Sequence, residues 1–460
     1  RIKIPITNNN FHEFIKVFPD NLNLKEGESY ELYFEVYDND AINKFKRTKS
    51  IVFNFRKFTK DEVEQKQLQE QNETIDDIKE SLDKMEEQEE DLQELSKTQK
   101  EKSELNFNEK KKLENFLKRQ KQLEKMMQNF NKKLKENLEQ FNKDEEDQFK
   151  EELKQRIEEN QEQLQKDEEL LKELEKLADK INKEELAKKL EDLAKQNKNK
   201  KRSLQQLLEL TKRFYVSQKM DKLKEDLSKL AEEQEKLSEE SEDKNTKEEQ
   251  DKLNEKFNNL QKELEELRKD NKELRKPMNV PNDKKGEEQI KKDQQEASEN
   301  LEKKEKSQNP QEQQSSQSKA KQKQKKAAQK MKQMSEQMSQ MMMGAGGDQM
   351  SEDIDMLRQI LDNLVLFSFD QEALMEKFNS IEINHKEYAK SLIKQQGLKE
   401  HFEHVDDSLF ALSLRNPKIS EKINKEITEA FFNIDKSLNE FSENRIYQGV
   451  AAQQYTVTAA

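Results

Sequence analysis

Two histidines near the end of the chain form the densest group of potential metal ligands. His401 and His404 lie at i, i+3 spacing on a predicted helix, and Asp406 and Asp407 follow them closely. Imidazole nitrogens at this spacing can bind one zinc ion, and carboxylates can add oxygen ligands. However, the HExxH pattern is missing and no third ligand follows from the spacing. We therefore predict a solvated helix face here, with no metal ion and no other cofactor.

Other patterns with chemical potential are weaker. Asp38-Asn39-Asp40 could bind calcium through its oxygens, but Asn and Asp are also the ordinary residues of turns. The glycine-rich residues 344–347 lack the lysine of a phosphate-binding loop. Carboxylate pairs occur throughout the chain, so no single pair indicates acid–base catalysis. The sequence predicts no catalytic residues, although the activity of a longer protein stays open.

A methionine stripe is the clearest candidate for a partner-binding surface. Met331, Met334, Met338 and Met341 share one face of a short predicted helix. Methionine is flexible and polarizable, so such a stripe suits contact with partners of different shapes. The competing interpretations are a helix frayed in solvent and a helix docked on a neighbouring bundle, because methionine stripes usually fill cores.

The composition indicates what kind of structure must carry these residues. Charged residues make up 40% of the 460-residue chain, and hydrophobic residues only 30%. This apolar fraction is too small for a conventional globular core, so most of the chain is predicted to be elongated or disordered. The net charge of -13 arises from 99 acidic residues interleaved with 86 basic ones, which makes nucleic acid a poor candidate partner.

Residues 59–276 have the pattern of segmented amphipathic helices. Their leucines recur at intervals of three and four, so each helix has one narrow apolar stripe that must pack against another helix. The spacing of Thr59 with Glu62 is that of a capping box, which predicts the first helix start. Repeated interruptions favour helical hairpins or bends over a single rod. Further starts are predicted at Ser203 and Thr246, and breaks near 103–108, 142–147, 182–185, 196–203 and 241–246.

The strictest heptad pattern predicts the main helix-packing seam. With Leu253 at a d position, Asn271 falls at an a position, where a buried amide can fix the register of pairing at some cost in stability. The members of this predicted seam are Leu253, Phe257, Leu260, Leu264, Leu267, Asn271 and Leu274.

The other segments complete a mainly α fold class. Residues 1–58 contain period-two strand patterns, with a possible third strand at 1–7, and predict the C-terminal strands of an immunoglobulin-like β-sandwich. Residues 277–350 predict a disordered low-complexity linker that contains the methionine-rich helix. Residues 351–460 predict a helical bundle truncated at its C-terminus.

Four segments carry a family resemblance. They are YFEVYDND at 33–40, SIVFNFR at 50–56, ELNFNEKKKL at 104–113 and NRIYQG at 444–449. On these motifs the chain resembles the DUF4175 family of large Bacteroidota proteins, over nearly its whole length. The resemblance implies a longer protein with upstream transmembrane helices, a β-sandwich region and this helical part in the periplasm. It supplies no catalytic residues.

These patterns together favour a non-enzymatic scaffolding or tethering protein of the bacterial cell envelope that contacts protein partners through helix surfaces. The expected location is the periplasmic face of the inner membrane, with the cytoplasm as the alternative, because a chain without cysteine fits both compartments. Oligomers are compatible with this interpretation. Two other functions stay open: the arm of an ATP-driven or mechanical machine whose catalytic part lies elsewhere, and a secretion accessory or chaperone-like client binder that uses the methionine stripe.

Overall fold

The mainly α fold class predicted from the sequence is confirmed in the computed structural model of the chain. The chain divides into two units, Arg1–Gln69 and Glu70–Ala460. No described helix is both long enough and apolar enough to cross a membrane. The structure describes all residues except 1, 6–10, 39–40, 43, 102–105, 141–147, 179–182, 345–346, 383–384, 415, 417–418 and 420.

The N-terminal unit contains one interrupted β-hairpin. Strand β1 (Ser29–Leu32) pairs antiparallel with β4 (Phe53–Arg56), and β2 (Glu35–Tyr37) pairs antiparallel with β3 (Arg47–Lys49). Hydrogen bonds between Phe34 and Ser50 bridge the interruption.

The two predicted strand segments therefore pair with each other. Residues 2–5, the described part of the expected third strand, are not in a strand. Asn39 and Asp40 of the predicted turn lie outside the described residues. The immunoglobulin-like sandwich stays a prediction.

Eleven helices follow within the described residues. Their bounds are α1 Lys60–Glu101, α2 Phe107–Gln140, α3 Gln148–Ala178, α4 Lys183–Glu239, α5 Lys247–Lys272, α6 Lys284–Lys306, α7 Pro310–Gly344, α8 Gly347–Ser380, α9 Lys386–Ser413, α10 Glu421–Ser442 and α11 Ile446–Ala459.

The helix starts at Thr59 and Thr246 are confirmed. The Thr59 hydroxyl accepts a hydrogen bond from the Glu62 amide at 3.2 Å, and the Glu62 carboxylate accepts one from the Thr59 amide at 3.0 Å. The Thr246 hydroxyl likewise accepts from the amide of Glu249 at 3.3 Å. These side chains satisfy amides that the first helical turn leaves without partners.

The predicted start at Ser203 and the predicted break at 196–203 are wrong, because α4 runs without interruption through both. This polar stretch remains helical since its side chains meet partners on other helices, as described below for Lys200 and Arg202. The predicted break at 142–147 lies outside the described residues.

The proximal bundle consists of α1, α2, α3 and residues 183–214 of α4. Consecutive helices run antiparallel, and surface ion pairs such as Lys133–Asp77 and Lys189–Glu173 join neighbours. Its interior contains two apolar clusters that draw residues from all four helices. Large members of these clusters are Ile78, Phe116, Phe130, Leu171, Leu193 and Phe214.

The central bundle consists of residues 216–239 of α4 together with α5, α6 and α7. The disordered linker predicted for residues 277–350 is therefore not found among the described residues: most of this segment is helical, and α6 and α7 each have a buried face. Asp283 caps α6 by accepting from the Gly286 amide at 2.9 Å. Pro310 begins α7, where its fixed φ and missing amide donor are tolerated.

The C-terminal bundle consists of α8, α9, α10 and α11, and its core is rich in aromatic rings. Phe378 stacks on Phe441 with ring centroids 3.8 Å apart. Gly449 lies against the Phe441 ring, and a Cβ atom at that position would overlap it. The glycine thus permits the close approach of α11 to α10.

Candidate functional site

All seven residues of the predicted seam are buried in the central bundle. Phe257 and Leu267 are fully buried, and the others have little exposed surface. They pack with apolar residues of α4, α6 and α7, so the stripe of α5 is covered within the chain. The seam therefore stabilises the bundle and does not present a free surface.

Asn271 holds the connection between α5 and α6 in place and does not pair with a residue of a facing helix. Its side-chain amide donates to the Met278 carbonyl at 2.9 Å and accepts from the Met278 amide at 2.8 Å. Nearby, Arg268 donates to the Pro281 carbonyl at 2.8 Å and forms a buried ion pair with Glu287. The predicted register function of Asn271 is thus corrected: the amide holds the chain that leads from α5 to α6.

A layer of five buried amides crosses the central bundle. Gln234 and Gln250 exchange hydrogen bonds at 2.8 and 2.9 Å, and Gln294 donates to Gln234 at 3.0 Å. Gln324 exchanges hydrogen bonds with Asn245 and donates to Gln250, each at 2.9 Å. The layer draws on all four helices and on the α4–α5 connection. Sliding one helix would separate these partners, so the layer favours a single register.

A smaller amide layer occurs in the C-terminal bundle. Gln371 of α8 and Gln395 of α9 exchange hydrogen bonds at 2.9 and 3.0 Å. Gln453 of α11 donates to Gln395 at 2.7 Å. All three side chains are buried, so this layer also fixes the relative positions of its helices.

The proximal bundle has a charged layer. Lys200 of α4 lies 2.6 Å from a carboxylate oxygen of Asp167 in α3 and 3.6 Å from one of Glu124 in α2. All three side chains are almost completely buried. Burial raises the pKa of Glu124 to about 7, although the Lys200 charge opposes the shift. The three charged side chains are enclosed by protein and pair with one another, so the layer links α2, α3 and α4.

Helix α4 also contacts the C-terminal bundle through polar pairs. Arg202 forms two hydrogen bonds with the Asp406 carboxylate, at 2.6 and 2.7 Å. Gln206 donates to Ser413 at 2.7 Å and to Asn424 at 3.2 Å. Paired guanidinium–carboxylate bonds are geometrically specific, so they define how α4 meets α9 and α10.

The methionine stripe lies inside the central bundle. Met331, Met334 and Met338 are buried, and Met341 is partly buried against the same cluster. The interpretation of this stripe as an exposed partner-binding surface is therefore wrong. It is a docked core helix, which was the competing interpretation.

The two histidines are not gathered into a ligand set. His401 is half-buried and His404 is exposed, whereas Asp406 is paired with Arg202. Among the described residues, no group of three or more His, Asp or Glu side chains is placed to hold a metal ion.

One cavity of about 330 Å³ lies where α4, α9 and the chain after α5 meet. Its polar groups are engaged with protein: Arg213 donates to the Lys276 carbonyl at 2.9 Å, and Glu209 accepts from the Arg275 amide at 2.9 Å. Burial raises the pKa of Glu209. These contacts join α4 to the end of the central bundle, so the cavity lies beside a structural joint.

Sequence reasoning did not identify the amide layers, although a signal exists. Gln294 and Gln324 each occupy an a position in a regular heptad pattern once alanine is counted as a seam residue. The charged layer has no such signal, because Lys, Glu and Asp occur at nearly every position nearby.

Comparisons with known proteins do not add a relative: no family model, curated protein or solved structure matches the chain.

Proposed function

We propose that this chain is a non-enzymatic scaffold or tether of the bacterial cell envelope that holds protein partners at defined positions. The observation that carries the proposal is helix α4. It is 57 residues long and contributes to the cores of two successive bundles while contacting a third. A continuous helix of this length spans about 86 Å at 1.5 Å per residue.

The joint between the proximal and central bundles supports a holding function. Beyond α4 itself, Arg213 and Glu209 bond to the backbone of Lys276 and Arg275, and Lys212 forms an ion pair with Glu273 at 3.6 Å. Several parallel connections resist bending better than one helix does. A braced joint suits a protein that keeps two partners at a constant separation.

The location in the envelope rests on the resemblance to the DUF4175 family, because a chain without cysteine fits the periplasm and the cytoplasm equally. Membrane attachment would come from segments outside this chain. No observation in the described residues favours the ATP-driven machine. The client-binding alternative loses its proposed surface, because the methionine stripe is buried.

The proposal is tested by interrupting α4 between Tyr215 and Val216. A five-residue Gly-Ser insertion there removes the continuous helical connection between the bundles, whereas the same insertion after Gln308, in the α6–α7 connection, serves as the matched control. Crosslinked complexes from cells that express each form are compared by mass spectrometry. We expect the α4 insertion to abolish complexes that contain two different partners and to preserve complexes with single partners. Unchanged two-partner complexes would contradict a scaffold that depends on a rigid α4.

A further inference from the structure

Helix α8 has two apolar faces, and only one of them is covered. Ile360, Phe367, Leu374 and Phe378 are buried in the C-terminal bundle. A second stripe lies on the outer side of the helix and is exposed to solvent. We call it the outer stripe, and its members are Ile354, Leu357, Leu361, Val365 and Phe369.

The exposure of the outer stripe is considerable. Leu361 is 54% exposed and Phe369 is 65% exposed. The residues recur at i, i+3, i+7, i+11 and i+15, so they form one continuous ridge about 22 Å long at 1.5 Å per residue. Among the described residues of α1 to α7, by contrast, the exposed large hydrophobic side chains are Val63 and Phe107, which lie at helix starts.

The charges beside the outer stripe indicate what can cover it. Exposed carboxylates lie on the same side of α8 at Asp355, Asp362, Glu372 and Glu376, and Arg358 is the basic residue among them. Arg358 lies 3.9 Å from Asp355. The surface is therefore an apolar ridge with an acidic rim. A complementary partner needs an apolar stripe flanked by lysine or arginine.

We propose that the outer stripe of α8 binds an amphipathic helix of a partner protein whose apolar residues are flanked by basic ones. The inference rests on the proposed scaffold function and specifies the kind of partner that binds this surface. A helix matches the length and narrow width of the ridge, and helix-on-helix docking uses i, i+3, i+4 and i+7 anchors.

The acidic rim also argues against two other occupants. Pairing of α8 with α8 of a second copy would place acidic rims against each other, and like charges in contact oppose association. Anionic lipid headgroups would repel the same carboxylates. A basic helix satisfies the apolar ridge and the rim together.

The test uses two synthetic 18-residue helical peptides with the same leucine stripe, one flanked by lysines and the other by glutamates. Binding to the full chain is measured by fluorescence anisotropy, and hydrogen exchange locates the contact. We expect the lysine peptide to bind at least about tenfold more tightly, to lose affinity with added salt, and to protect the amides of residues 354–369. Equal affinities, or protection elsewhere, would overturn the proposal.

Two variants sharpen the test. Val365→Ser with Phe369→Ser should weaken the lysine peptide about tenfold or more, because large central anchors dominate such contacts. Phe107→Ser removes an exposed aromatic side chain from α2 and should leave binding unchanged. An unaffected affinity in the first variant, with circular dichroism showing that all proteins are folded, would overturn the proposal.

Light scattering tests whether a second copy of the chain covers the outer stripe, and vesicle sedimentation tests whether a lipid surface does. A wild-type dimer that Leu361→Asp converts to a monomer would assign the stripe to a second copy and overturn the proposal, as would sedimentation with phosphatidylserine vesicles. If the lysine peptide does not bind but the α4 insertion abolishes the two-partner complexes, only the α8 proposal is overturned. If the lysine peptide binds but the two-partner complexes survive the α4 insertion, only the scaffold proposal is overturned.

Discussion

The central bundle and the C-terminal bundle use apolar residues in different ways. In the central bundle, the leucines of the α5 seam and Met331, Met334 and Met338 of α7 are buried in one core. In the C-terminal bundle, α8 contributes Phe367 to the core and also exposes Phe369 two residues later. The first region buries its apolar stripes within its own fold. The second keeps an apolar ridge, the outer stripe, that its own helices do not cover, and this is where we propose that a partner helix binds.

The two regions also share a structural feature. Each contains a buried layer of glutamine amides that links several helices. Such layers add specificity more than stability, because the amides must give up water to form these bonds. A chain with few apolar residues needs this specificity, since leucine stripes alone permit slipped pairings.

The largest effect is expected from breaking the charged layer of the proximal bundle. Lys200→Met leaves Asp167 and Glu124 buried without their cation, so the free energy of unfolding of that bundle should fall by about 3 to 5 kcal/mol. Chemical denaturation followed by circular dichroism measures the change. The matched control is Lys118→Met, on the exposed face of α2, which should alter stability by less than about 0.5 kcal/mol. Equal effects would show that the charged layer is not a structural element.

The next prediction compares a leucine of the α5 seam with a leucine of the outer stripe. Leu260→Ala should cost about 2 to 5 kcal/mol, because it opens a cavity in the central core. Leu361→Ala, on the outer stripe, should change stability by less than about 0.5 kcal/mol. Thermal unfolding of both variants provides the comparison. Similar losses at the two sites would mean that the outer stripe is covered in the folded protein.

The pH dependence of stability should reveal the titration of the Glu124 carboxyl group. Its pKa of about 7 in the folded protein lies above the ordinary value of 4.5. Between these values the folded state binds more protons than the unfolded state, so this group stabilises the fold at low pH and that contribution is lost as pH rises toward 7.

Each pKa unit corresponds to about 1.4 kcal/mol, so the effect is measurable. Glu124→Gln should remove this loss between pH 4.5 and 7, as measured by denaturation at a series of pH values. Parallel pH profiles of the wild type and the variant would contradict the assignment.

A smaller effect is expected where α11 meets α10. Gly449→Ala introduces a Cβ atom into the Phe441 ring and should cost about 1 to 3 kcal/mol, the usual penalty of overpacking. Gly397→Ala is the matched control, because nothing lies within 4 Å of the corresponding Cβ position. That substitution should be neutral or slightly stabilising in a helix. Differential scanning calorimetry distinguishes the two, and a neutral Gly449→Ala would disprove the close packing.

Local signals predicted some elements well. The capping box at Thr59 and the cap at Thr246 are visible in sequence because they depend on residues three positions apart. The burial of Leu260 follows from a regular stripe of large apolar residues. These features rest on short-range chemistry, which a single sequence displays directly.

Long-range pairing was not visible in the same way. The polar stretch that contains Lys200 and Arg202 resembles a break, yet partners on α2, α3 and α9 keep it helical. The α7 stripe was obscured because alanine and glutamine occupy many of its seam positions. In α8, apolar residues occur on both sides, so the sequence does not indicate that Phe367 is covered and Phe369 is not.

The distance between the proximal and central bundles tests the central claim most directly. The chain has no cysteine, so two introduced cysteines, at Lys118 and Lys262, would carry spin labels without background. Both positions are exposed. A rigid, braced α4 predicts one narrow distance distribution by pulsed electron resonance, which the Gly-Ser insertion after Tyr215 should broaden. A broad distribution in the uninterrupted chain would contradict the account.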